Sequence, residues 1–177
     1  MTKEELDYEL TKLMHGDEKA FETVYNETKH GLFSFIYSIC KDYSLSEDIM
    51  QETYVRIRNS INTYKPGINA LAWIFTIAKN LTLNEIKKHS REVNLELDDP
   101  VLQSDDEYGE EEGELVHLVN TILTDDERQI VNLHLMSGFK HREIAEMMGK
   151  PLGTVLWAYR NALKKLKTAY DKEHGNR

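Results

Sequence analysis

Apolar residues recur at three-and-four spacing along most of this 177-residue chain, the pattern of helices that turn one face inward. A short acidic amphipathic helix is expected near residues 3–14. Asp17 is placed to cap a helix from Glu18 to about Lys41, with Ala20, Val24, Leu32, Phe35, Ile36 and Ile39 on its core face and Gly31 as a site for a bend. Ser46 is placed to cap the next, SEDIMQETYVRIRNSI, with Glu47 and Asp48 in its first turn and Ile49, Thr53, Ile57 and Ile61 in register. Tyr64-Lys65-Pro66-Gly67 ends it, because adjacent Pro and Gly mark a turn. From about Asn69, ALAWIFTIAKNLTLNEIKKHSR repeats the buried spacing at Trp73, Ile74, Ile77, Ala78 and Leu81. These four helices make a first domain over residues 1–97.

Beyond residue 114 the pattern resumes. Leu115–Leu123 reads as helix, and Thr124 caps DDERQIVNLHLM. A stretch from Gly138 to Gly149, then Lys150-Pro151-Leu152-Gly153-Thr154 and a helix to about Tyr170, has the spacing of a helix-turn-helix. Val155, Tyr159, Ala162 and Leu166 are the expected core of that last helix. Leu156, Trp157, Arg160, Asn161 and Lys164 then face outward. No strand-like alternation of any length interrupts the helices, so the fold class is all-α, two small helical domains.

Charge separates them. The net charge of −9 is concentrated in DDPVLQSDDEYGEEEGE, residues 98–114, which hold nine acidic residues and no basic one. Such a run cannot bury enough apolar surface to offset chain entropy, so it reads as a flexible linker. The domain at 115–177 is net basic, which the whole-chain charge conceals.

Other chemistry narrows the picture by exclusion. Cys40 is the single cysteine, so no internal disulfide is expected, and its apolar surroundings suggest a buried structural thiol. No apolar run approaches the roughly 20 residues of a membrane-spanning helix, and the acidic N-terminus is unlike a secretory signal. A cytoplasmic protein without membrane insertion is the expectation. The seven histidines are scattered, with no metal-ligand spacing, phosphate loop or nucleophile elbow. No enzyme, metal or cofactor is expected.

What remains is binding chemistry. Lys79, Asn80, Asn84, Lys87 and Lys88 share a helix with the apolar stripe at Trp73–Leu81, and Arg91 closes it. Cations beside amides suit phosphate contact plus hydrogen bonds to base edges. A solvated amphipathic surface helix would read the same from this segment alone.

Three motifs in order carry a resemblance: SEDIMQETYVRI, AWIFTIAKNLTLNEIKK and LTDDERQIVNLHLMSGFKHREIAEMMGKPLGTV. They resemble sigma regions 2.2, 2.3 with 2.4, and 4 of bacterial RNA polymerase sigma factors of the extracytoplasmic function group. That group keeps only the second and fourth regions. The resemblance implies a four-helix region 2 over 1–97, an acidic linker over 98–114 and a helix-turn-helix region 4 over 115–177. It implies an initiation factor that binds core RNA polymerase, through the clamp and flap of its large subunits, and directs it to promoter DNA. A cognate anti-sigma factor is a further partner known for many members.

Carried onto this sequence, the resemblance assigns Asp48, Gln51 and Glu52 to the polymerase clamp, with Ile49, Met50 and Thr53 as apolar contacts. It assigns Tyr64, Lys65, Asn69, Ala70, Leu71, Lys79, Asn80 and Asn84 to opening and reading the −10 element, with Lys87 and Lys88 on phosphates. Trp73 is open between base stacking and the core, its apolar neighbours favouring the core. Arg142, Thr154, Leu156, Trp157, Arg160, Asn161 and Lys164 are assigned to the −35 element. Leu156 and Trp157 depart from the family pattern, which commonly has basic residues there. They suit thymine methyls, another protein, or packing within the module. The linker is expected to face the polymerase.

Two rivals share the sequence: a regulator whose helix-turn-helix binds an operator without polymerase, and a sigma-like adaptor that binds a partner instead of DNA.

Overall fold

The computed structural model describes residues 1–93, 119 and 121–174; among them every regular element is helical. The acidic segment 98–114 and most of the helix expected over Leu115–Leu123 lie outside these residues. The chain divides into two compact units, Met1–Leu102 and Gln103–Arg177.

In the first unit, α1 spans Lys3–Met14 and opens on a reciprocal cap. The Glu5 N–H donates to Thr2 Oγ1 at 3.1 Å, and the Thr2 N–H donates to Glu5 Oε2 at 2.8 Å, so two otherwise orphaned donors are satisfied. Leu6, Leu10 and Leu13 face inward. Helix α2 (Glu18–Cys40) starts at Asp17, whose carboxylate accepts from the Lys19 N–H at 3.0 Å. It runs without interruption through Gly31.

Helix α3 spans Tyr43–Ser60, one turn earlier than the sequence suggests. Its cap is Asp42, which accepts from the Leu45 N–H at 2.8 Å, and not Ser46. Ser46 is buried in the first turn, where its hydroxyl donates to the Asp42 carbonyl at 2.5 Å. A serine inside a helix commonly bonds back to the carbonyl four residues earlier, and the carboxylate upstream takes the cap. A single 3₁₀ turn, Ile61–Thr63, follows, and then α4 spans Ala70–Val93.

The core of this unit is apolar. Leu10, Val24, Ile36, Ile57, Ile74 and Ala78 have no measurable exposure, and Phe35 packs on Phe75 with ring centroids 5.3 Å apart. Each fully buried Ile or Phe contributes about 1.5–3 kcal/mol relative to exposure. One polar pair crosses the core: the Tyr54 hydroxyl meets Thr28 Oγ1 at 2.7 Å.

In the second unit, α5 (Asp125–Val131) is capped by Thr124. It continues as a wide π turn, Asn132–Met136, in which the Ser137 N–H reaches back to the Asn132 carbonyl at 3.3 Å. Helix α6 spans His141–Met148 and α7 spans Leu152–His174. Of the three residues between them, the first, Gly149, has φ 63°. This left-handed conformation costs glycine little, and it lets the Lys150 N–H close the end of α6 on the Ala145 carbonyl at 2.9 Å. Leu123, Val131 and Ala162 form a buried cluster, with Val119, Tyr159 and Leu166 against it.

The second core is also ionic. Glu127 is 3 % exposed and Arg128 2 %. One Glu127 oxygen accepts from Lys165 Nζ at 2.7 Å and the Thr124 N–H at 3.0 Å; the other accepts from Asn161 Nδ2 at 2.5 Å. Arg128 donates to the Leu123 carbonyl at 3.1 Å and to Asp125 at 3.2 Å.

Candidate nucleic-acid interface

Three exposed faces and one loop hold the residues of interest, and each is built from a helix whose other side is buried. On α3, Ile49, Thr53, Ile57 and Ile61 point into the first core. Asp48, Gln51 and Glu52 are thereby turned to solvent. Ile49 and Thr53, expected as apolar contacts of this face, are 4 % and 0 % exposed and belong to the core instead. Val55, three residues beyond Glu52, is 52 % exposed and gives the face its apolar patch. Its position one helical turn along, off the apolar register, was the available signal.

On α4, Ile74, Phe75, Ala78 and Thr82 are buried. The opposite stripe, at the same three-and-four spacing, carries Thr76, Asn80, Leu83, Asn84 and Lys87, all exposed. Lys88 stands beside it and pairs with Glu85 at 3.0 Å; Lys79 is half-buried at the stripe's edge. Amides, a hydroxyl and one apolar side chain are thus followed by cations toward the end of the helix. Thr76 and Leu83 join the expected residues on this stripe. The side chain of Arg91 lies outside the described residues.

The loop before α4 differs from expectation. Tyr64 is 3 % exposed and Ala70 fully buried, so neither is available to a base on this surface. Tyr64 faces inward because its ring packs on Trp73, with centroids 5.1 Å apart, and its hydroxyl donates to Asp7 Oδ1 of α1. Burial first, then the Asp7 carboxylate, pushes the Tyr64 phenol well above its ordinary value. Trp73 is half-buried against that ring.

Asn69 is half-buried, and its side-chain oxygen caps α4 by accepting from the Ala72 N–H at 3.1 Å. Leu71 is half-buried. The Lys65–Ile68 turn closes on a 3.3 Å bond from the Ile68 N–H to the Lys65 carbonyl, with Pro66 and Gly67 (φ 88°) at its centre. Only glycine adopts that φ freely. Lys65, Pro66 and Ile68, the last 45 % exposed, are left in solvent by the turn.

On α7, Val155, Ala158 and Ala162 are buried. Thr154, Trp157, Arg160 and Lys164 are exposed along the other side, Trp157 at 67 %, and Leu156 is half-buried. Trp157 is therefore not packed within its module. Asn161, expected to face outward, is half-buried and committed to Glu127. The carboxylate 34 positions upstream was not visible from local spacing. Arg142 is exposed on α6.

Behind this face, His134, His141 and Tyr159 form a ring cluster with centroids 4.2–4.9 Å apart. Burial, then the neighbouring His134, holds His141 below the usual imidazole value. No group of three or more His, Cys, Asp or Glu side chains able to hold a metal ion lies among the described residues. Among them, too, no helix is long and apolar enough to cross a membrane.

A four-helix unit followed by a helix-turn-helix unit, each displaying cations beside amide or aromatic side chains, is the build of a DNA-binding transcription factor. Residues 24–92 match the family model for sigma-70 region 2, and residues 121–166 match that for sigma-70 region 4. The chain is 24 % identical over 172 residues to the extracytoplasmic function RNA polymerase sigma factor SigK of Mycolicibacterium vanbaalenii, covering 92 % of this chain and 88 % of the relative. It is 29 % identical over 146 residues to the sigma factor EcfG of Rhodopseudomonas palustris, covering 76 % of each. The solved structure of the sigma factor RpoE with the anti-sigma factor NepR from Bartonella quintana aligns with a TM-score of 0.68 at 25 % identity, over 85 % of this chain and 96 % of that one. The chain belongs to the extracytoplasmic function group of sigma-70 factors, and its role is promoter recognition in transcription initiation.

Proposed function

We propose that the first unit binds the clamp of core RNA polymerase through Asp48, Gln51, Glu52 and Val55, and opens the −10 element along α4. The single observation that carries this reading is the α4 stripe. Asn80 and Asn84 are exposed on a helix fixed by Ile74, Ala78 and Thr82, with Lys87 and Lys88 one turn beyond Asn84. An amide both donates to and accepts from a base edge, and the cations hold phosphates. Extruding a base costs a few kcal/mol, so the reader has to be rigid, and a helix anchored in the core meets that need. Lys79 and Lys65 border the same surface. Leu71, half-buried at the start of α4, lines it from the core side.

The second unit binds the −35 element with α7 in the major groove. Arg160 and Lys164 contact phosphates or guanine, Thr154 and Arg142 flank them, and Leu156 and Trp157 meet thymine methyls. The polymerase flap is the second anchor on core enzyme. An anti-sigma factor, such as the one bound to the Bartonella relative, is the partner that holds the protein inactive. The acidic segment 98–114 faces the polymerase, and residues 1–97 and 115–177 act as separate modules.

Run-off transcription with core polymerase tests the reading. Promoter-specific initiation that depends on this chain supports it, and operator binding without polymerase supports a stand-alone regulator. Asn80→Ala is expected to reduce open-complex formation while sparing polymerase binding; equal loss of both would sink the assignment. Asp48→Ala with Gln51→Ala is expected to weaken polymerase binding itself, with open-complex formation recovering at saturating protein.

A further inference from the structure

We propose that Asp7, on the N-terminal helix, is a positioning residue for the loop that presents Lys65 and Ile68 in front of α4. The inference rests on the proposed −10 role of that surface and adds a determinant from outside it. One oxygen of Asp7 accepts two hydrogen bonds from the loop, 57 and 60 positions away in sequence: from the Tyr64 hydroxyl, and from the Gly67 N–H at 3.0 Å. The first pins the side chain that packs on Trp73 of α4. The second pins the backbone at the left-handed residue on which the turn hinges.

A four-residue turn with a Pro–Gly centre is defined internally but can still swing as a body about its ends. Two anchors on one carboxylate oxygen, one on a side chain at the base and one on the backbone at the tip, remove that freedom. Gly67 has no heavy atom within 4 Å of where a Cβ would sit, so packing does not hold the tip; the hydrogen bond does. Asp7 itself is an acceptor aimed away from any phosphate role, since a carboxylate repels the DNA backbone. Its effect reaches bases only through the loop.

The placement has a consequence for specificity. Lys65 and Ile68 are carried by the turn, so loss of the tether blurs which base the loop accepts rather than abolishing polymerase binding. Losing two hydrogen bonds to one carboxylate oxygen corresponds to at least about a tenfold weaker hold on the loop.

The experiment uses the full chain with core polymerase on a promoter pool randomised at both the −10 and −35 elements, and sequences the transcripts. The wild type is expected to select bases at both elements. Asp7→Ala is expected to flatten −10 selection about tenfold and leave −35 selection intact, which also shows that the variant is folded and bound. Asp7→Asn keeps an acceptor and is expected to restore most of the selection.

Thr2→Ala loosens α1 by removing its cap without touching the loop, and is expected to select as the wild type does. Unchanged −10 selection in Asp7→Ala overturns the proposal, and so does equal flattening by Thr2→Ala or an Asp7→Asn no better than Asp7→Ala. A wild type that selects nothing at the −10 element instead overturns the proposed function on which it rests.

Discussion

In the first unit, helices meet through side chains such as Phe35, Ile36, Ile57, Ile74 and Phe75, and the few buried polar groups are hydroxyls. In the second, α5 and α7 meet through Glu127, which reaches Asn161 and Lys165, while Arg128 beside it satisfies the Leu123 carbonyl. A 23-residue α7 against a 7-residue α5 leaves little apolar area to share, so an ionic anchor fixes the register of the helix proposed to read DNA. Buried ion pairs add little net stability over a well-packed apolar substitute, but losing one partner is expensive. The first unit should therefore tolerate charge changes but not cavities, whereas the second, which also buries Ile130, Leu133, Phe139 and Ile144, should be sensitive to both.

The sharpest way to break that contrast is a cavity. Phe75→Ala is expected to destabilise the first unit by about 4 kcal/mol, read as faster amide exchange in α2 and α4 with α7 unaffected. Glu127→Ala is expected to cost the second unit about 2 kcal/mol, through the lost hydrogen bonds from Asn161, Lys165 and the Thr124 N–H, leaving α1–α4 protected; equal effects on both units would erase the distinction.

Acid offers a gentler probe. Burial opposes ionisation of Glu127, but Lys165, the Thr124 N–H and Asn161 outweigh it and hold the carboxyl below its ordinary range. Its stabilisation is complete above the unfolded carboxylate value, about 4.3, and is lost as pH falls through the lowered folded one. His141 acts earlier. Its folded value is depressed, so the unfolded chain takes up the proton first as pH drops below about 6.5. Between pH 7.5 and 5.5 the second unit is expected to lose thermal stability. The first, whose buried residues include no histidine, is expected to hold. His141→Phe should remove the difference.

The smallest effect belongs to the exposed ring. Trp157→Ala is expected to change stability by less than about 0.5 kcal/mol while weakening binding to −35 duplex. A large loss of stability would mean the ring packs where the structure leaves it exposed.

Helix positions and their buried faces were legible because a local period of 3.6 residues decides them. Ile49–Thr53–Ile57–Ile61 and Ile74–Ala78 lie where their spacing puts them. Misreadings arose where a distant partner outbid local pattern. Tyr64 reads as a loop aromatic free to meet a base until Asp7 and Trp73 draw it inward. Asn161 reads as an outward amide until Glu127 takes it. At Ser46 the competition is local: the Asp42 carboxylate, four residues earlier, accepts from the Leu45 N–H and starts the helix first. Of the candidate site, the exposed stripes on α3, α4 and α7 could be read from the chain, but not which of their members were already engaged.

The wide turn at Asn132–Met136 has a consequence of a different kind. A π turn holds one residue more than an α turn needs, so the chain carries a surplus position at the head of its helix-turn-helix. Removing one residue there can restore the regular i→i+4 ladder without breaking the helix, whereas the same deletion in α6 or α7 would throw every inward residue about 100° out of phase. In lineages that gain and lose single codons, this is where the length of the second unit can drift. What drift would forfeit is the seat of His134 beside Tyr159, and with it the smaller of the two causes that depress His141.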